Sequence, residues 1–296
     1  MKKFITSIAA IGLIVGSIAG CGSAPENTTT QAAANVPDAA TAADTTAAAD
    51  DNTADLTGTL AINGSTSMEK VAKALNGAFM AKYPGVTITL DLTGSGTGIQ
   101  EAMDGKIDIG NSSRSLKDTE TGLVPTTIGI DGIAIVVNNE NTVSNLTLEQ
   151  LEKIYSGEIK NWSEVGGEDK AIVVIGREDG SGTRDGFESI VMKNSTPSYA
   201  QELESTGTVI STVSTTAGAI GYASLANVDD SIKALSIDGV SPSEETVKDG
   251  TFPIQRPFIC VYKEGNENEL IKAYLEFALS EEGQTQVANA GAVPVK

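Results

Sequence analysis

From residue 56 onward, short apolar runs alternate with stretches whose apolar residues recur every three or four positions. Leu60-Ala61-Ile62 predicts a strand, and 67–83 predicts a helix with Met68, Val71, Leu75, Ala78 and Phe79 on one face. Pro84-Gly85 ends that helix, and 86–90 alternates as a strand. A short helix over 98–103 and a short strand over 107–109 follow. The long apolar stretch 128–137 predicts a strand that crosses the molecule. Thr147-Leu148-Glu149-Gln150 fits a capping box, with Leu151, Ile154 and Tyr155 buried behind it. A strand over 171–175 runs into Arg177. Helices then carry Phe187, Ile190 and Val191, and Val209, Ile210 and Val213. Gly218-Ala219-Ile220-Gly221-Tyr222 reads as a strand entry and 258–262 as a return crossing. A capping box at Asn266 and Glu269 precedes an apolar stripe of Leu270, Ile271, Tyr274, Leu275 and Ala278. A last helix is expected near 281–288. This alternation predicts an α/β fold with its binding edge at the strand ends. Two crossings predict a first lobe in two pieces, 57–133 plus 258–296, and a second lobe over 134–257, joined by a hinge.

The first residues read as a leader rather than as fold. Lys2 and Lys3 precede an apolar run too short for a confident membrane span. Ile18-Ala19-Gly20-Cys21 resembles a bacterial lipobox, so residues 1–20 are expected to be a lipoprotein signal peptide and Cys21 the lipidated residue. Acyl chains at Cys21 would place the protein on the extracellular face of a cell membrane. Up to residue 56 the chain is Ala, Thr, Asp, Asn and Pro with almost no large apolar side chain. It cannot bury enough surface to offset its ordering entropy, so 21–56 is expected to be a disordered tether. With Cys21 modified, Cys260 is left as a lone thiol within an apolar run.

Composition removes several functions. The chain has 20 Lys and Arg against 39 Asp and Glu, a net charge of −19, and no basic stripe to replace phosphate counterions on a nucleic acid. It has no histidine, which removes His-based acid–base chemistry and the usual zinc patterns. Aromatic residues make up 4%, too few for a site built on stacking against sugars or bases; Trp162 and Tyr222 read as packing residues.

Three glycine-rich runs stand out: Asn63-Gly64-Ser65-Thr66-Ser67, Thr93-Gly94-Ser95-Gly96-Thr97-Gly98 and Asp179-Gly180-Ser181-Gly182-Thr183-Arg184. Each offers hydroxyls and unhindered N–H groups just before a predicted helix, where unpaired amides and the helix dipole favour an anion. Converging, they would hold one small tetrahedral oxyanion without metal or cofactor. Thr66 and Ser67, or Ser181 to Thr183, could equally be helix caps. Arg177 could bind the anion with a charge-assisted fork or pair with Glu178 or Asp179 at the surface. No run ends as a nucleotide P-loop does. Gly180-Ser181-Gly182 is no nucleophile elbow, and without histidine the usual triad cannot form, so no enzyme is expected.

These runs belong to a wider resemblance. With Ile107-Asp108-Ile109-Gly110-Asn111-Ser112-Ser113-Arg114, Ile154-Tyr155-Ser156-Gly157-Glu158-Ile159-Lys160-Asn161-Trp162 and Phe252-Pro253-Ile254-Gln255-Arg256-Pro257, the chain from about Gly58 to its end resembles the phosphate-binding lipoproteins of bacterial phosphate ABC transporters. It resembles the Gram-positive members of this PstS-type family. The resemblance implies a class II periplasmic-binding-protein fold, with the ligand in the cleft between the lobes. It implies a monomer that captures inorganic phosphate and passes it to membrane subunits with an associated ATPase. Residue by residue, it implies ligand contacts at Ser65, Thr66, Ser67, Ser95, Ser113, Arg177, Ser181, Gly182 and Thr183. It places Asp179 as the aspartate that orders Arg177. Ser113 stands where some members carry a proton-accepting aspartate, which makes Asp179 the candidate acceptor here. Arg114 either faces solvent or lends its field to the cleft. Sulfate or molybdate is the alternative ligand.

Overall fold

The computed structural model describes residues 56–193 and 195–296; the leader, Cys21 and the tether as far as Asp55 lie outside them. In the first lobe β1 (Thr57–Gly64) leads through a tight 3-10 turn at Thr66–Met68 into α1 (Glu69–Lys82). β2 (Gly85–Asp91), α2 (Ser95–Asp104) and β3 (Ile109–Ser112) follow, with β1 parallel to both β2 and β3. The second helix begins at Ser95, earlier than predicted, because Gly94 at φ 100° turns the chain directly into it. Ile107 and Asp108 precede β3 instead of opening it. Asp108 still ties back, its carboxylate accepting from the Ala61 amide at 2.7 Å.

β4 (Leu123–Asn138) passes through both lobes. Beyond it lie β5 (Asn145–Leu146), α3 (Leu148–Ser156), β6 (Val173–Arg177), α4 (Gly182–Phe187) and β7 (Gln201–Leu203). Next come α5 (Thr206–Thr215), β8 (Ala219–Ser224), β9 (Ile232–Ala234), β10 (Ser236–Ile237) and α6 (Glu244–Lys248). The chain returns along β11 (Gln255–Lys263) and ends with α7 (Glu269–Ala278) and α8 (Glu281–Asn289). Thr147 caps α3 in a full capping box with Gln150. At α7 the cap is Asn268, not Asn266. Its side chain accepts from the Ile271 amide at 2.9 Å, and no reciprocal bond from the glutamate forms a box.

The strands join in the order β2-β1-β3-β11-β4-β8-β6-β7, with β9 also on β4. The first part of β4 pairs with β11, and Ile133 to Asn138 pairs with β8 and β9. The apolar core changes with the partner. Leu60, Ile62, Phe79, Ile109, Ile128, Phe258 and Tyr274 pack in the first lobe. In the second, Ile133, Ile135 and Val137 pack on one face of β4 beside Tyr155, Phe187 and Tyr222. Ala134 and Val136 pack on the opposite face against Val209 and Val213 of α5. The 133–137 part of that strand therefore reads as one unbroken apolar run, being covered on both faces. Each such fully buried side chain contributes about 1.5–3 kcal/mol. Cys260 is a buried free thiol, pushed up to about 12 by desolvation.

Candidate functional site

The ends of β1, β3 and β6 release their chains toward the same place, as in other parallel α/β sheets. β1 ends at Gly64, whose φ of 142° suits glycine alone, and whose Cα lies against the Asn111 backbone with no room for a side chain. Ser65, Thr66 and Ser67 follow at once. Ser113 follows β3, Ser95 opens α2, and Ser181 to Thr183 open α4. All of these are buried.

Their hydroxyls form two hydrogen-bonded sets, one of Ser65, Ser95 and Ser113 and one that joins Thr66 and Ser67 of the first lobe to Thr183 and Thr206 of the second. Ser65 Oγ donates to Ser113 Oγ at 2.8 Å, and the Ser113 amide donates to Ser95 Oγ at 3.1 Å. Ser67 Oγ lies 2.5 Å from Thr183 Oγ1 and 3.0 Å from Thr206 Oγ1, and Thr66 Oγ1 lies 3.2 Å from the latter. The Gly96 amide donates to the Gly180 carbonyl at 2.8 Å. Gly182 is packed so closely that a Cβ there would strike Ser95 Oγ and come within 2.7 Å of Ser113 Oγ. Thr66 and Ser67 therefore spend their hydroxyls on the second set, and neither caps the first helix. Ser181 is buried and spends its hydroxyl as the cap of α4, accepting from the Arg184 amide at 3.3 Å.

Arg177 forms the charged side of this cluster. Its fork is held by the carbonyls of Leu203 (3.0 Å) and Glu204 (2.8 Å), its Nη1 reaches Thr206 Oγ1 at 3.2 Å, and its amide donates to the Tyr222 hydroxyl. Among the described residues no carboxylate lies within ion-pairing distance. Desolvation pulls the guanidinium down to about 10, and the nearby charge of Arg256 pulls the same way. A buried cation with no contacting carboxylate, beside a set of serine and threonine hydroxyls that it reaches through Thr206, is suited to a small anion. Among the described residues no group of acidic and cysteine side chains is placed to hold a metal ion.

Asp179 is corrected. Its side chain is 97% exposed and pairs with Arg184 at 3.1 Å, because Gly180, at φ 83°, turns the chain between it and the buried Ser181. It neither orders Arg177 nor faces the cluster. Arg114 takes neither expected role: it is buried between Glu120 and Asp185. Trp162 and Tyr222 pack in the second core, the Trp162 indole donating to the Gly218 carbonyl.

Three residues escaped the sequence reading. Thr206 opens α5 inside the cluster. The signal was present, since Ser205-Thr206-Gly207-Thr208 has the composition of the other runs and precedes Val209 and Val213. Arg256 and Asp131 form a fully buried ion pair at 3.0 Å, and Ser224 donates to the same carboxylate at 2.8 Å. Burial pushes the Asp131 carboxyl up, with Arg256 opposing it. The other nitrogen of Arg256 donates to Ser113 Oγ at 2.9 Å, so this pair braces the cluster from behind. No local pattern announces a contact between residues 125 positions apart.

The model of the PBP superfamily domain matches residues 35–282. The phosphate-binding protein PstS of Bacillus subtilis is 35% identical over 244 residues, covering 80% of this chain and 81% of that protein. Its namesake in Borreliella burgdorferi is 28% identical, covering 80% and 90%. Among solved structures, a phosphate ABC transporter substrate-binding protein of Clostridium perfringens, with bound phosphate, is 43% identical with a TM-score of 0.78. That match covers 81% of this chain and 100% of the other. An ABC-type phosphate transport receptor of Vibrio cholerae is 32% identical with a TM-score of 0.67, covering 80% and 100%.

Proposed function

The chain belongs to the PstS family of phosphate-binding proteins within the PBP superfamily, and from that premise we propose that it captures inorganic phosphate and delivers it to an ABC permease. It is a transport component and not an enzyme. One observation carries the ligand class: Arg177 is buried with no contacting carboxylate and reaches Thr206, whose hydroxyl meets those of Thr66 and Ser67 from the other lobe. Phosphate supplies the missing negative charge and accepts from the hydroxyls around it.

Thr66, Ser67, Ser95 and Ser113 hold the anion from the first lobe, with Ser65 behind them. Arg177, Ser181, Gly182, Thr183 and Thr206 hold it from the second. The lobes part at β4 and β11 to admit phosphate and close over it. Closure excludes water, which strengthens each contact. Cys21 carries the lipid, which keeps the monomer at the extracellular face of the membrane, near the permease and its ATPase. The acidic surface meets a basic rim on that permease.

Equilibrium dialysis against labelled phosphate, with sulfate and molybdate as competitors, tests the ligand. Saturable phosphate binding at micromolar concentration, displaced poorly by both competitors, is the expected result. Preferential displacement by either competitor makes that oxyanion the ligand instead, and no saturable uptake of any of them removes the reading. Replacing Cys21 by Ala should leave binding intact and release the protein from the membrane fraction.

A further inference from the structure

Beside the hydroxyl cluster, a second set of contacts joins the lobes, and it is ionic. Arg114 follows Ser113 in the first lobe. Asp185 lies on α4 of the second, two residues after Thr183. Arg114 Nε lies 2.6 Å from Asp185 Oδ2, and Lys117 Nζ lies 2.9 Å from the same oxygen. On its own lobe Arg114 is also gripped by Glu120, with two bonds of 2.7 Å. From these contacts we propose that Asp185, with Arg114 and Lys117, is a latch that holds the lobes closed and sets how slowly the ligand is released. This rests on the phosphate-binding reading, which it deepens.

The asymmetry of the partners is the reason. When the lobes part, Arg114 loses Asp185 but keeps Glu120, so a largely buried guanidinium is never left unmatched. Glu120 also accepts from the Lys117 amide at 2.8 Å, which fixes the loop bearing both cations. Asp185 is 27% exposed and is hydrated easily once it is free. The cross-lobe pair therefore favours the closed form at little cost to the open one, and the cations are already aimed. Its place in the chain couples it to the ligand. The segment 112–117 brings both Ser113 and the cations, and α4 brings both Gly182-Thr183 and the carboxylate. A groove of about 310 Å³ lined by Arg114, Lys117, Asp185 and Arg256 opens beside the pair, and Lys117 is the arm that stands in solvent, since Arg114 Nε and Asp185 Oδ2 are themselves buried. Salt should loosen it.

The test compares wild type with Asp185→Asn and Asp185→Glu. Stopped-flow release of phosphate should be about 3- to 10-fold faster in Asp185→Asn, with association unchanged within about twofold. Added sodium chloride should speed release from wild type and do little to Asp185→Asn. Asp185→Glu should stay near wild type. A second arm needs no ligand. Dyes on Lys73→Cys and Lys153→Cys, one in each lobe, report the interlobe distance, and Asp185→Asn should shift its distribution toward open. Wild type that binds no phosphate while these distributions still differ would strike the ligand reading and keep the latch. Identical distributions and identical release rates would overturn the latch.

Discussion

Arg177 and Arg256 are the same side chain at nearly the same depth, 2% and 4% exposed. Arg256 is matched by Asp131, and the pair spends its remaining bonds on Ser113 and Ser224. Arg177 is matched by nothing but carbonyls and one hydroxyl. Burial lowers both guanidinium groups; Arg256 has a carboxylate bonded to it that pulls back, whereas Arg177 feels only the weaker, more distant charge of Glu178. A matched buried charge is architecture: it fixes where β4 and β11 cross between the lobes. An unmatched one is held at a cost to the fold, and on the phosphate-binding proposal a ligand completes it.

The comparison breaks most visibly at Arg256. Arg256→Met leaves Asp131 buried and alone and should destabilise the protein by about 3–5 kcal/mol in urea denaturation. Adding Asp131→Asn should recover much of that loss. If Arg256→Met alone is neutral, the pair is not the brace described.

Gly182→Ala probes the space between the regions. Its methyl would enter the gap held by Ser95 and Ser113, so phosphate affinity should fall by about 1–3 kcal/mol, with the ligand-free unfolding midpoint nearly unchanged. Unaltered affinity in calorimetry would mean that the two lobes do not close this tightly on the ligand.

pH separates the two arginines again. Arg177 drops from its ordinary value near 12.5 to about 10. Between those values the unfolded chain holds the extra proton, so stability from this group rises with pH. Anion binding runs the other way: affinity should be steady to about pH 9 and fall roughly tenfold per unit once Arg177 is neutral. A binding curve that stays flat to pH 11 would contradict the charged role of Arg177.

The smallest effect is expected at Asp179. Asp179→Asn should change phosphate affinity, and the preference over sulfate, by less than about twofold, because the carboxylate stands in solvent with Arg184. A tenfold loss would return Asp179 to the site.

These two regions also mark what the sequence could reveal. The runs at Ser65, Ser95 and Ser181 were legible because each is a local event, with a strand, a turn rich in small residues and a helix start adjacent in the chain. The apolar stretches within β4 and β11 showed the crossing for the same reason. Arg177 was legible by its place after a strand and before such a run. The pairing of Arg256 with Asp131 was not, since it depends on the antiparallel register that sets Arg256 opposite Asp131. The role of Asp179 came from the resemblance, and the local turn does not support it. Gly180, at φ 83°, reverses the chain between Asp179 and the buried Ser181.

The most direct measurement pairs two experiments on Arg177→Met: phosphate titration calorimetry, and urea denaturation without ligand. The account predicts opposite signs. Affinity should fall by about 2–5 kcal/mol, while the ligand-free protein should be as stable as wild type or more so, because an unmatched buried charge has been removed. A variant that binds phosphate as tightly as wild type, or that loses stability as Arg256→Met does, would contradict the claim that Arg177 is held unmatched for an anion.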